Sequence, residues 1–203
     1  MAVASLVVAV VAIIIALVSV RYTRRQAIAS GRQAVASEAV TAIESQRRHE
    51  ELTPVLAITA DARPGVRWVD MTVELTGPPG LGGLDEVMIR IRDDVPERKP
   101  AEGGLTQEQI SEVIWGPYRL NPGMRDTDSA GRAHGPFRLP VHEPHPLQLE
   151  QTTAPAWSDP ASWHRQYEGK PVRVEVICTR EGHEPWVVLR EVEVKSPPEA
   201  YAV

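Results

Sequence analysis

The side chains able to do chemistry are few and loosely grouped. His142-Glu143-Pro144-His145, with His134 nearby, is the one cluster of metal-ligand types. As a site it would hold Zn²⁺ or a similar ion. Its spacing matches no helical HExxH arrangement, however, and Pro140, Pro144 and Pro146 mark an irregular loop. Asp93-Asp94 and the pair Asp126 and Asp128 offer carboxylates, but without the regular oxygen-ligand spacing of a calcium loop. Both pairs are expected to be solvated turns. The chain has no G-x-S-x-G, no GxxxxGK[ST] and no GxGxxG. Cys178, the single cysteine, cannot form a disulfide within the chain, and its place on the apolar parity of an expected strand predicts a buried thiol with little thiolate. No catalytic, cofactor-binding or metal-ligating residue is assigned, and the chain is not expected to be an enzyme.

Aromatic side chains are the other resource. Five tryptophans stand beside one phenylalanine. Trp68, Trp163 and Trp186 each fall inside or against an expected element and should pack in the core. Trp115 and Tyr118 flank Gly116-Pro117, and Trp157 lies between Pro155 and Pro160. These three loop aromatics are the candidates for contact with a partner or ligand, because such rings carry much apolar area and a polar handle.

Positioning these groups falls to three successive elements. Residues 1–20 read as a transmembrane helix. They hold no charged side chain, and the 19 residues Ala2–Val20 would span roughly 28 Å as a helix, close to the ~30 Å hydrocarbon core. A cleaved signal peptide is the alternative. It is opposed by the length of the run, the lack of Lys or Arg before it and the lack of a clear cleavage site after it. Arg21, Arg24 and Arg25 follow at once, so the positive-inside rule places the rest of the chain in the cytoplasm, as a single-pass cell-membrane protein. Together with Arg32, these arginines could touch lipid headgroups of the bilayer.

Residues 21–51 read as a juxtamembrane helical stalk. They contain no proline and one glycine, and they are rich in Ala, Gln, Glu and Arg. The helix should stop before Pro54. Ile28, Val35 and Ala42, with Ala39 beside them, fall at heptad spacing, and Ala36, Val40 and Ile43 form a second narrow stripe. These faces suit pairing of two stalks in a homodimer; the alternative is a solvated stalk whose alanines reflect propensity alone.

From Leu52 the apolar period changes to two. Met71, Val73 and Leu75, then Val87, Ile89 and Ile91, then Val172, Val174, Val176 and Cys178 alternate with largely polar residues, as half-buried strands do. Leu56–Thr59, Phe137–Val141, Leu147–Glu150 and Trp186–Val194 are shorter strand candidates. Arg190 sits on the apolar parity of the last of these, which suggests a bulge. Ser158-Asp159-Pro160 at one end and Gly169 at the other predict a short helix over 160–168. Residues 106–115 read equally as a helix opened by a Thr106/Gln109 capping box or as a strand. Seven or eight short strands imply a mainly β fold: an antiparallel β-sandwich, immunoglobulin-like in architecture, over 52–195, with a tail at 196–203. The Cys–Trp–Cys framework of true immunoglobulin domains is absent.

Charge excludes one class of partner. Residues 21–50 hold six arginines and three glutamates, whereas residues 51–203 carry a balance of −8. An acidic domain does not suit nucleic acid, which needs a basic surface to neutralise phosphates.

Several phrases are similar to a group of membrane-anchored actinobacterial proteins that have no assigned reaction. They are Arg47-Arg48-His49-Glu50-Glu51-Leu52-Thr53-Pro54, Ile91-Arg92-Asp93-Asp94, Trp115-Gly116-Pro117-Tyr118-Arg119, Gly131-Arg132, Leu149-Glu150-Gln151-Thr152 and Glu184-Pro185-Trp186. The resemblance covers residues 45–194 and implies a membrane-tethered all-β domain. The expectation is therefore a non-enzymatic interaction or scaffolding protein with an unknown protein partner. The alternative is a small-ligand sensor or carrier whose pocket uses the loop aromatics.

Overall fold

The computed structural model describes residues 37–63, 68–95, 98–99 and 104–195. The chain divides into two units, Met1–Glu51 and Leu52–Val203. In the first, residues 37–51 form a helix, α1, which ends ahead of Pro54 as the proline requires. Pairs one turn apart brace it: Gln46 donates to Glu50 at 3.1 Å, and Arg47 pairs with Glu51 at 2.8 Å. Val40 and Ile43 are exposed on it. The rest of the expected seam (Ile28, Val35 and Ala36), the arginines Arg21, Arg24, Arg25 and Arg32, and the apolar run Ala2–Val20 lie outside the described residues. Among the described residues no helix is long and apolar enough to cross a membrane.

The second unit is mainly β. Its strands are β1 (Val55–Ala62), β2 (Trp68–Gly77), β3 (Gly83–Ile91), β4 (Tyr118–Leu120), β5 (Ala133–Pro140), β6 (His145–Gln151), β7 (Val172–Thr179), β8 (Trp186–Val192) and β9 (Val194–Lys195). They form a five-stranded sheet in the order β4-β6-β2-β1-β9 and a four-stranded sheet in the order β5-β3-β7-β8. The two sheets pack together through their apolar parities. Val69, Met71, Val73, Leu75, Leu147 and Leu149 come from one sheet, and Leu84, Val87, Ile89, Val174, Val176 and Cys178 from the other, all within one buried cluster. Each such side chain contributes roughly 1.5–3 kcal/mol on leaving water, which fixes the register of every central strand.

Pairing between these strands is antiparallel except at one edge, where β9 runs parallel to β1 through Ala60↔Val194 and Asp61↔Lys195; an isolated parallel bridge joins Leu75 to Val141. The strand expected over Phe137–Val141 begins earlier, at Ala133, and its pairing with β3 is irregular. Gly135 explains why: at φ +116° its backbone comes so close to β3 that an added Cβ would lie 2.5 Å from the Val87 carbonyl oxygen.

Three expectations change. Residues Gln107–Glu112 are helical (α2), opened by the Thr106/Gln109 capping box, so the strand reading of 106–115 falls. The bulge at Arg190 is absent, because β7 and β8 pair without a register shift from Val172↔Val192 to Cys178↔Trp186. Arg190 keeps its parity yet stays exposed, since β8 is the outermost strand of its sheet. Trp68 is 44% exposed rather than part of the core. It shares the outward parity of Asp70, Thr72 and Glu74, and the alternation of Met71, Val73 and Leu75 leaves it no route inward.

The short helix expected at 160–168 spans Pro160–Tyr167 (α3). Asp159 caps it, accepting from the Ser162 N–H at 2.9 Å, and Gly169 follows at φ +67°. Trp163 and Tyr167, one turn apart, are its buried residues.

Candidate functional site

Beyond the end of β3 the chain carries Asp93-Asp94, and these carboxylates organise one corner of the domain. Asp93 accepts two bonds from the Arg132 guanidinium, both 3.2 Å, and one from the Trp115 N–H at 2.9 Å. The other terminal nitrogen of Arg132 donates to the carbonyls of Ser111 and Val113, at 3.2 and 2.9 Å, and so ties down the end of α2. Asp94 accepts from Arg98 at 2.8 Å and from the Tyr167 hydroxyl at 3.2 Å. Its carbonyl accepts from Arg173, which also holds Glu191, both at 2.9 Å. These aspartates are therefore half-buried anchors, not the solvated turns their sequence suggests. Asp128 likewise closes its own turn, accepting from the N–H groups of Arg132 and Ala133.

The aromatic residues close over this network. Trp115 donates its indole N–H to the Ile110 carbonyl at 3.0 Å, packs on Trp163 at 5.3 Å and carries the Arg98 guanidinium 4.2 Å above its ring. Trp163 meets Tyr167 edge-on at 4.8 Å and donates to the Thr152 hydroxyl, which donates to the Gly116 carbonyl. Burial pushes the Tyr167 phenol well up from its ordinary pKa, and the charge of Asp94 and its hydrogen bond add to the shift. Tyr167 is thus a fixed donor to Asp94 and stays neutral.

Trp115 and Tyr118, singled out by sequence, line one cavity of about 60 Å³, together with Tyr167, Arg92, Lys170 and Arg173. That volume suits a few waters or one small polyatomic ion, at roughly 10–15 Å³ per water. It is far below the ~300 Å³ at which drug-sized ligand pockets begin. Trp157 lines no part of it and is 43% exposed. Trp163 lines an open groove of about 800 Å³, with Trp68, His164, Thr153 and the Arg119–Glu150 ion pair in its walls.

The histidines form a pair, not a ligand set. His134 on β5 is buried, with Nδ1 2.8 Å from the Thr127 hydroxyl and Nε2 3.4 Å from Nε2 of His145 on β6. The His145 ring stacks on Phe137 at 3.6 Å. Burial lowers both pKa values; Asp126 opposes the shift at His134, and His134 adds to it at His145. His142 is exposed and lies 3.5 Å from Glu74 instead. Among the described residues no group of three His, Cys, Asp or Glu side chains could hold a metal ion. Cys178 is fully buried, and burial pushes its thiol up to about 12.

Sequence reasoning missed Arg92, Arg98, Arg132 and Tyr167. Arg98, four residues from Asp94, was a weak local signal, but Arg132 and Tyr167 arrive from 39 and 73 residues further on. No family model matches the chain, and no curated protein matches it.

Proposed function

We propose that this chain is a membrane-tethered, non-enzymatic interaction module whose β domain docks a protein partner on the outer face of the four-stranded sheet. The observation that carries the reading is a row of apolar side chains across three strands of that face. Met88 stands opposite Ile177, and Ile177 opposite Val187. Leu189 lies two residues along β8, and Val187 and Leu189 are 57% and 48% exposed. The next row pairs Arg90 with Glu175 at 3.8 Å and ends on Leu189, and the row beyond it pairs Arg173 with Glu191 at 2.9 Å. An apolar centre with a charged rim is how protein interfaces are built.

The reading takes residues 1–20 as the single membrane span, residues 21–51 as a stalk able to pair with a second copy, and residues 52–195 as an immunoglobulin-like sandwich on the cytoplasmic side. Support for the tether comes from the uncharged run Ala2–Val20 and the arginines that follow it. The exposed Val40 and Ile43 on α1 support the pairing. A second reading, a sensor or carrier of a small ligand, draws on the cavity beside Trp115 and Tyr118.

Docking is tested by substituting Val187→Asp and Leu189→Asp together and purifying the full chain from membranes. These side chains point away from the core, so thermal unfolding should barely move. The protein that co-purifies with the wild type should be lost. Its retention by the doubly substituted, folded chain would overturn the assignment of this face.

A further inference from the structure

We propose that the cavity beside Trp115 is a binding site for a phosphate-type oxyanion, held by Arg92 and Lys170. The argument starts from charge. Residues 51–203 are acidic overall, yet this corner gathers Arg90, Arg92, Arg98, Arg132, Lys170 and Arg173 against Asp93, Asp94, Glu175 and Glu191. Each of the four carboxylates is taken by a cation of the same group: Asp93 by Arg132, Asp94 by Arg98, Glu175 by Arg90 and Glu191 by Arg173. Arg92 and Lys170 are left over, and among the described residues neither side chain has a partner.

Arg92 is also half-buried and sits across the strand pair from Arg173, to whose carbonyl its own N–H donates at 2.8 Å. Arg173 is spent on Glu191 and the Asp94 carbonyl, so Arg92 has a cation and not a carboxylate as its cross-strand neighbour. Arg98 does not line the cavity; it stacks on the Trp115 ring and pairs with Asp94, and so fixes one wall. The cavity's volume of about 60 Å³ fits one tetrahedral oxyanion, and two surplus cations match a dianion. A guanidinium can grip two of its oxygens at once. Asp94, the carboxylate in the wall, is occupied by Arg98 and by the Tyr167 hydroxyl, so its charge is already countered.

The same chemistry is offered by free phosphate or phosphate esters and by a lipid headgroup, and two arms separate these sources. The full-length chain, labelled with fluorotryptophan, is placed in nanodiscs of phosphatidylcholine. Inorganic phosphate is titrated at constant ionic strength, and the Trp115 fluorine resonance is followed. A saturable shift is expected, with Arg92→Gln and Lys170→Gln each weakening binding at least tenfold and the exposed Arg138→Gln leaving it unchanged. In the second arm the nanodiscs contain phosphatidylglycerol and no phosphate is added; the same shift there assigns the anion to the headgroup. No shift in either arm, or wild-type binding by a folded Arg92→Gln chain, overturns the proposal. Neither result bears on docking at Val187, which lies outside the cavity.

Discussion

Arg132 shows at the scale of a single residue how this domain spends its charged side chains. One guanidinium satisfies Asp93 and two carbonyls at the end of α2. Arg132→Ala strands these acceptors, part-buried, and should cost about 2 kcal/mol, in the range of charge-assisted bonds. Urea denaturation of the wild type and the variant measures it, and a difference near zero would mean that water replaces the guanidinium freely. The histidine pair makes a second prediction. The folded-state pKa values of His134 and His145 lie below the ordinary 6.5, so as the pH falls the unfolded chain takes up protons first. Stability from this pair is therefore fully present above about pH 6.5 and is lost as the pH falls below it. His145→Phe preserves the stack on Phe137 and removes one of the two proton sites. Between pH 7.5 and 5.5 it should lose less stability than the wild type, and equal losses would count against the pair as the cause. From sequence, Trp115 and Tyr118 were found as candidates and Cys178 as a buried thiol. Asp93 and Asp94 were read as solvated turns: Arg132 pairs with Asp93 from 39 residues away and leaves no local pattern, while Arg98, four residues from Asp94, was a local signal that went unread.

The strands were legible wherever one face met the core. Met71-Val73-Leu75 and Val172-Val174-Val176-Cys178 alternate because a period of two is the only way to bury one side of a pleated strand. Elements without that constraint were not legible: β4 has three residues and β9 two, too few to show a period. Residues 106–115 were undecided because six helical residues carry too little apolar periodicity, and the capping box settled the matter locally. Trp68 was misplaced by weighing its residue type above its parity. On β7, Cys178→Ser places a hydroxyl in an apolar core and should destabilise the domain by roughly 1–3 kcal/mol, while native thiol labelling of the wild type stays slow until unfolding. Rapid native labelling would contradict the burial of this strand face. On β8, Arg190 occupies the inward parity of an edge strand, a placement that keeps a second strand from adding to the edge. Arg190→Val should keep the fold and bring concentration-dependent self-association, visible by sedimentation. A monomer unchanged at every concentration would show that the arginine has no such role.

The whole molecule, as proposed, is a membrane segment and stalk followed by a two-sheet domain with an apolar patch on the outer face of its four-stranded sheet. The core cluster is supplied by residues from Leu56 onward, so the domain needs nothing from α1 to fill its interior. As proposed, the small cavity takes an ion and the exposed patch a protein. The claim at the centre is that the molecule works by presenting the apolar patch of Met88, Ile177, Val187 and Leu189 to another protein. The direct measurement is photo-crosslinking in intact membranes from a reactive side chain placed in turn at Val187, at Leu189 and at Thr72 on the opposite sheet. The account predicts one recurrent protein adduct from positions 187 and 189 and none from 72. Adducts of equal yield from all three positions, or none from 187 and 189, would contradict it.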